Sequence, residues 1–287
     1  MAEGFSIVDV GKLAEPINTL ITKIADAAGV LYEPTRIRKK AQAEADAALI
    51  AATTQLKLDG LPQRGFIRFV KEESIKQSNI ESILEKTFPE INVSADPTLL
   101  NNEWLLFFFD RAKYASDEEM QTIWAKILAG ETNQHGSFSK STLRILSEMS
   151  QEDATTFMKT ISFSFKIDKE DKLFIYDFND EIVKKTCLTF DSINRLNILG
   201  LLSCGSTYGY CISGLPLKTS ASYGGKKVEI TFKSKEECNL NCGEAILSQS
   251  GIELLKICSP NYSDEIFNYV YQKWTTFGNI EKIEFRE

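Results

Sequence analysis

Residues 116–131, SDEEMQTIWAKILAGE, restrict the fold of this chain more than any other stretch. Met120, Ile123, Trp124, Ile127 and Leu128 fall at i, i+3, i+4, i+7 and i+8, one apolar stripe along a helix. Ser116 with Glu119 has the spacing of a capping box, and Gly130 stands where a left-handed C-terminal cap is expected. The segment therefore predicts a helix buried on one side around Trp124. It predicts no reaction.

The flanking sequence extends this into an all-helical half over residues 1–135. Residues 8–30 carry Leu13, Ile17, Leu20, Ile21, Ile24 and Ala28 on one side. That face could lie on a membrane surface, but it lacks Trp and Phe anchors and has only Lys12 and Lys23 as basic groups, so packing against protein is favoured. Residues 35–55 are alanine-rich and helical by propensity. Arg36, Arg38, Lys39 and Lys40 crowd the start of that helix, where positive charge opposes the helix dipole, and so suggest docking to a partner or nucleic acid. A third helix is expected over 64–86, with Phe66, Phe69, Val70, Ile80, Ile83 and Leu84 inward. Residues 104–109, WLLFFF, predict a helix buried on every side, followed by the charges Asp110 and Arg111.

Residues 136–287 read as an α+β half. Ser139 starts one helix, and Ser150 with Asp153 caps the next. Strands are expected at 172–178, 226–232 and 244–248. Between them a helix begins at Asp191 with Ile193, Leu196 and Leu199 and stops at Gly200. Helices ending in LGLL, then strands, then SQSGIELL give the rhythm of a winged helix. The fold class expected is therefore mainly α, a helical domain followed by a winged-helix-like α+β domain.

Composition narrows the chemistry. The chain has 287 residues, a formal net charge of −7 and one histidine. The acidic balance disfavours indiscriminate nucleic-acid binding. No apolar run reaches the roughly 20 residues of a membrane span, and no signal peptide is visible. Six irregularly spaced cysteines in a chain of this length do not suggest a disulfide framework, so a cytoplasmic protein with reduced thiols is expected. His135 alone would have to serve any histidine-dependent catalysis or metal site, and it lies in a loop without a neighbouring base partner.

Three constellations remain. Ser137, Ser139, Lys140, Ser141 and Thr142 open a helix and offer an anion or phosphate site, although the P-loop spacing is absent. Cys204, Cys211, Cys238 and Cys242 could in principle hold zinc, but their spacing is not that of paired knuckles, and ordinary thiols are favoured. In the winged-helix reading the recognition helix supplies only Arg195. The wing supplies Lys218, Lys226 and Lys227 with Tyr208, Tyr210 and Tyr223, a sparse footprint for DNA. No cofactor is expected.

Taken together, YEPTRIRKKAQAEA, QSNIESILEK, SDEEMQTIWAKILAGE, GSFSKSTL and LGLL…LSQSGIELL resemble a large bacterial family of unknown function built around the phrase W-A-x-I-L-A-G-E. The phrase is also distantly similar to the abortive-infection alpha family, which is linked to phage defence. The resemblance implies a bacterial or phage protein of that context and transfers no catalytic residue. The leading expectation is a non-enzymatic interaction protein that assembles through its N-terminal helices with itself or a protein partner. The alternatives are a nucleic-acid-binding regulator and a phosphate- or nucleotide-dependent enzyme around Lys140.

Overall fold

A computed structural model describes residues 13–33, 60–205 and 209–286. The expected helix over 35–55, with Arg36, Arg38, Lys39 and Lys40, lies outside the described residues, as do residues 8–12 and Tyr208. The architecture is mainly α with antiparallel sheet, divided into two compact units, Met1–Ser147 and Glu148–Glu287. No helix among the described residues is long and apolar enough to cross a membrane.

The first unit contains α1 (Ala14–Ala28), α2 (Leu61–Thr87), α3 (Asn102–Ala112), α4 (Glu118–Asn133) and α5 (Lys140–Glu148). Ile17, Leu20 and Ile24 of α1 are buried, so the face considered for a membrane is used inside the protein. Gly29 ends α1 at φ +66°, its N–H bonded to the Ala25 carbonyl. Trp124 is buried where the stripe predicts. It meets Phe108 edge-on at 5.2 Å, and Trp104 stacks on the same Phe108 ring at 5.2 Å.

Four expectations for this unit are corrected. Asp117, not Ser116, caps α4: its Oδ1 accepts the N–H groups of Glu119 (2.9 Å) and Met120 (3.1 Å), which sets an anion at the positive end of the helix dipole. Gly130 is not a left-handed cap, because α4 continues to Asn133. A Cβ at Gly130 would sit 2.7 Å from Cε2 of Phe138, so the glycine makes room for a buried ring. Residues 104–109 are not buried all round, since Leu106 is 51% exposed and Phe107 lies under the Arg111 guanidinium at 4.9 Å. Finally, Phe69 is 59% exposed and Phe66 and Val70 only half-buried, because the buried residues of α2 begin at Asn79.

The second unit contains α6 (Gln151–Ile161), β1 (Ser164–Ile167), β2 (Glu170–Leu173), α7 (Glu181–Lys185), α8 (Phe190–Leu199), β3 (Leu202–Cys204), β4 (Tyr210–Ser213), β5 (Lys218–Tyr223), β6 (Lys226–Phe232), β7 (Asn239–Gly243), β8 (Ala245–Leu247), α9 (Gln249–Leu255), α10 (Asp264–Thr276) and β9 (Ile280–Arg286). Five strands form an antiparallel sheet in the order β2-β1-β5-β6-β9, while β3 pairs with β8 and β4 with β7. Phe267, Val270 and Trp274 of α10 are buried, and Phe165 gathers the aromatic core, stacking on Tyr223 at 4.4 Å and meeting Trp274 edge-on at 5.3 Å.

Capping signals in this half correspond to real helix ends. Ser150 and Asp153 form a reciprocal box, Gly200 ends α8 at φ +91°, and Ser248 accepts the Gly251 N–H at the start of α9. The expected strand over 172–178 stops at Leu173. Leu173, Phe174 and Ile175 are all buried in succession, so the alternation of a half-buried strand fails, and the chain continues as a strap.

Candidate functional site

The loop before α5 is the first candidate, and several of its donors are already engaged. Glu131, the last residue of the tryptophan-centred phrase, is buried and bonds both the Gly136 N–H (2.8 Å) and the Phe138 N–H (2.9 Å) through its carboxylate. Two amides of the loop that could greet an outside anion therefore hold an internal carboxylate. Ser137 donates to the Gln134 carbonyl, Ser139 caps α5 by accepting the Thr142 N–H, and Lys140 pairs with Glu103 at 3.0 Å. Ser141 is exposed and Thr142 buried. His135 is exposed on the same loop.

The candidate cations of the second unit are mostly tied down. Arg195 is held by Asp153, with Nε 3.2 Å from Oδ1. Lys226 bonds Asp264 at 2.7 Å and lies over the Phe267 ring at 4.8 Å. Lys218 pairs with Glu229 at 3.7 Å. Lys227 is exposed on β6, opposite Arg286 of β9. Tyr223, an aromatic considered for the wing, is 3% exposed, its hydroxyl donating to the Ser162 carbonyl. Cys204, Cys211, Cys238 and Cys242 are all free thiols, and among the described residues no group of three or more His, Cys, Asp or Glu side chains is placed to hold a metal. Burial pushes the Cys242 thiol up to about 12.

What the second unit does present is a cavity of about 510 Å³ beside an exposed helix face. The strap after β2 builds one wall. Gly243 (φ +90°) lets it cross, since a Cβ there would lie 1.9 Å from the Ile175 carbonyl oxygen. Tyr269 pins the strap: its hydroxyl donates to Asp180 (2.7 Å) and accepts the Tyr176 N–H (3.1 Å), while Lys273 reaches Asp180 at 3.3 Å. Phe178 thereby lines the cavity with Leu188 and Phe190, the two phenyl rings meeting edge-on at 6.2 Å. Lys184 and Glu244 are its charged lining, and one Glu244 oxygen is occupied by the Phe178 N–H at 2.9 Å. Cys204 lies near Glu244. Burial first, and that negative charge second, raise its thiol to about 11, which favours the protonated form at neutral pH.

The outer face of α8 continues from this cavity. Ile193, Leu196 and Leu199 are buried as the stripe predicts, which turns Phe190, Asn194 and Ile198 outward at intervals of four. Phe190 is 62% and Ile198 70% exposed. Neither was singled out by the sequence reading, although the inward stripe fixes the opposite face and an apolar residue there was the available signal. A single exposed leucine or isoleucine means little, but two apolar groups two turns apart on one helix, beside an apolar cavity, make a surface suited to binding.

The family described as "Protein of unknown function (DUF2806)" matches residues 63–271. Neither a curated protein nor a solved structure matches the chain.

Proposed function

Because the chain belongs to the DUF2806 family of unknown function, we propose a role from its own surfaces: a non-enzymatic interaction protein that docks a partner protein on the outer face of α8 and the adjoining cavity. One observation carries this reading. The outer face of α8 offers Phe190 and Ile198 to solvent, while its basic residue, Arg195, is bonded to Asp153. A helix that reads nucleic acid needs free cations for phosphate, whereas a protein interface is anchored by aromatic and aliphatic side chains.

The winged-helix-like description belongs to the same proposal. It is supported by α8 turning through Gly200 into β3, by the pairing of β3 with β8, and by the Ser248-capped α9 that follows. Assembly through the N-terminal helices is supported by α2, whose buried residues all lie from Asn79 onward and whose Leu61 and Phe69 stand 74% and 59% exposed. The phage-defence context rests on the resemblance of the Trp124 phrase alone. An enzyme around Lys140 gains no support from a loop whose amides bond Glu131.

The test is affinity capture with the full chain from infected and uninfected bacterial cells, using wild type beside Phe190→Asp and Ile198→Asp. A protein retained by wild type and lost by both variants, with circular dichroism unchanged, is the expected result. Salt-sensitive DNA or RNA binding by wild type that both variants keep would replace this reading with the nucleic-acid one.

A further inference from the structure

Strand β9 closes one edge of the five-stranded sheet, and among the described residues it pairs only with β6. Antiparallel pairing uses the amide and carbonyl of every second residue, so the other half of β9's backbone groups point away from the sheet. The strand is seven residues long, Glu281, Lys282, Glu284 and Arg286 are exposed, Ile283 is partly buried, and Phe285 is 64% exposed. An edge of this length, on which no further strand pairs among the described residues, is a template for another strand.

The side chains say which strand. Lys282 and Glu284 share one face, paired with each other at 3.0 Å, and Ile283 and Phe285 share the other. Residues opposite one another in an antiparallel pair lie on the same face, so a two-fold axis perpendicular to the sheet passes beside a residue and not between two. Centred on Lys282 or on Glu284, that axis sets a like charge against its own copy, and centred on Phe285 it would set Glu284 against Arg286, which Glu229 already holds. Centred on Ile283, it sets Lys282 against Glu284 of the partner subunit, and the same pair again in reverse. Ile283 then faces its own copy, and Phe285 of the partner subunit stands on the diagonal within about 8 Å, opposite Glu281.

We propose that β9 is a homodimer interface, a second copy of the chain adding its own β9 antiparallel about Ile283 to make one continuous sheet. The charges on the strand would otherwise serve only to keep a free edge solvated. The two explanations differ in their response to charge exchange, because only a partner strand reads the sign at each position. This interface is separate from the proposed α8 docking face and from assembly through α2, and none of its residues lies in either.

The experiment is light scattering on the full chain at tens of micromolar, with Lys282→Glu, Glu284→Lys and the double exchange. Wild type is expected to form an assembly whose mass each single exchange halves, and the double exchange, which restores opposite charges across the axis, is expected to return it. Hydrogen exchange on wild type gives a reading free of any variant: the outward-pointing amides, every second one over residues 281–285, should lose protection on dilution, while those bonded to β6 keep theirs. Equal mass for wild type and all three variants, or β9 protection independent of concentration, overturns the proposal. Variants at Leu61 and Phe69 test assembly through α2 separately, so the failure of one interface is distinguishable from failure of the other.

Discussion

Glu131 decides what the loop before α5 can bind. Its carboxylate is buried, and both oxygens accept backbone N–H groups, from Gly136 and Phe138. The Trp104 indole N–H donates to the Phe138 carbonyl at 2.7 Å, so both backbone polar groups of Phe138 are held by the helical core. Glu131→Gln keeps the shape but leaves one oxygen where two were needed and turns an NH₂ toward a donor. The expected cost is about 1.5–3 kcal/mol, the range for a hydrogen bond to a buried charged group, read as a lower denaturant midpoint at unchanged slope. An unchanged midpoint would show that the loop is not held by this carboxylate. The adjacent Gly130 shows how far the residues themselves could be read. Its place in the sequence is compatible with a helix cap, and only the Phe138 ring, eight residues on, reveals that the missing Cβ is needed for packing. Trp124 was legible because its burial follows from periodicity; Glu131 was not, because its partners follow from loop geometry.

At the scale of elements, the segments read correctly are those whose ends carry local chemistry. The Ser150–Asp153 box, the αL glycine after Leu199 and the Ser248 cap each bond within four residues, and so are visible in sequence. The strap at residues 174–178 is not, because it is set by Gly243 and Tyr269, far along the chain. Asp153 joins the two kinds of information: it caps α6 locally and holds Arg195 of α8 across 42 positions of sequence. Burial alone would raise its carboxyl, but the Arg195 and Ser150 hydrogen bonds outweigh that and hold it below the usual aspartate range. A depressed folded-state value contributes stability that is fully present above the unfolded pKa of about 4 and is lost as pH falls through the folded one. Asp153→Asn should therefore destabilise the protein at neutral pH, and the gap to wild type should narrow steadily below about pH 4. Parallel acid-denaturation curves for the two proteins would mean that the Arg195 pair adds nothing to the fold.

On the scale of the whole molecule, each unit has its own aromatic centre: Phe108 with Trp104 and Trp124 in the first, Phe165 with Tyr223 and Trp274 in the second. A core of this kind is lost as a cooperative piece, so damage to one centre should open the unit that contains it and spare the other. Trp124 is 2% exposed, and truncating a buried tryptophan costs about 3–5 kcal/mol, a large part of the stability of a single domain. In Trp124→Ala, hydrogen exchange read by mass spectrometry should rise through α3, α4 and α5, while β1, β5, β6 and α10 keep the protection they have in wild type. Trp274→Ala should give the converse pattern, since that indole is fully buried in the second unit. Loss of protection in both units from either substitution would mean that the chain has a single cooperative core. The docking face on α8 and the edge at β9 would then fall within reach of any change near Trp124, and the surface variants would have to be judged against that.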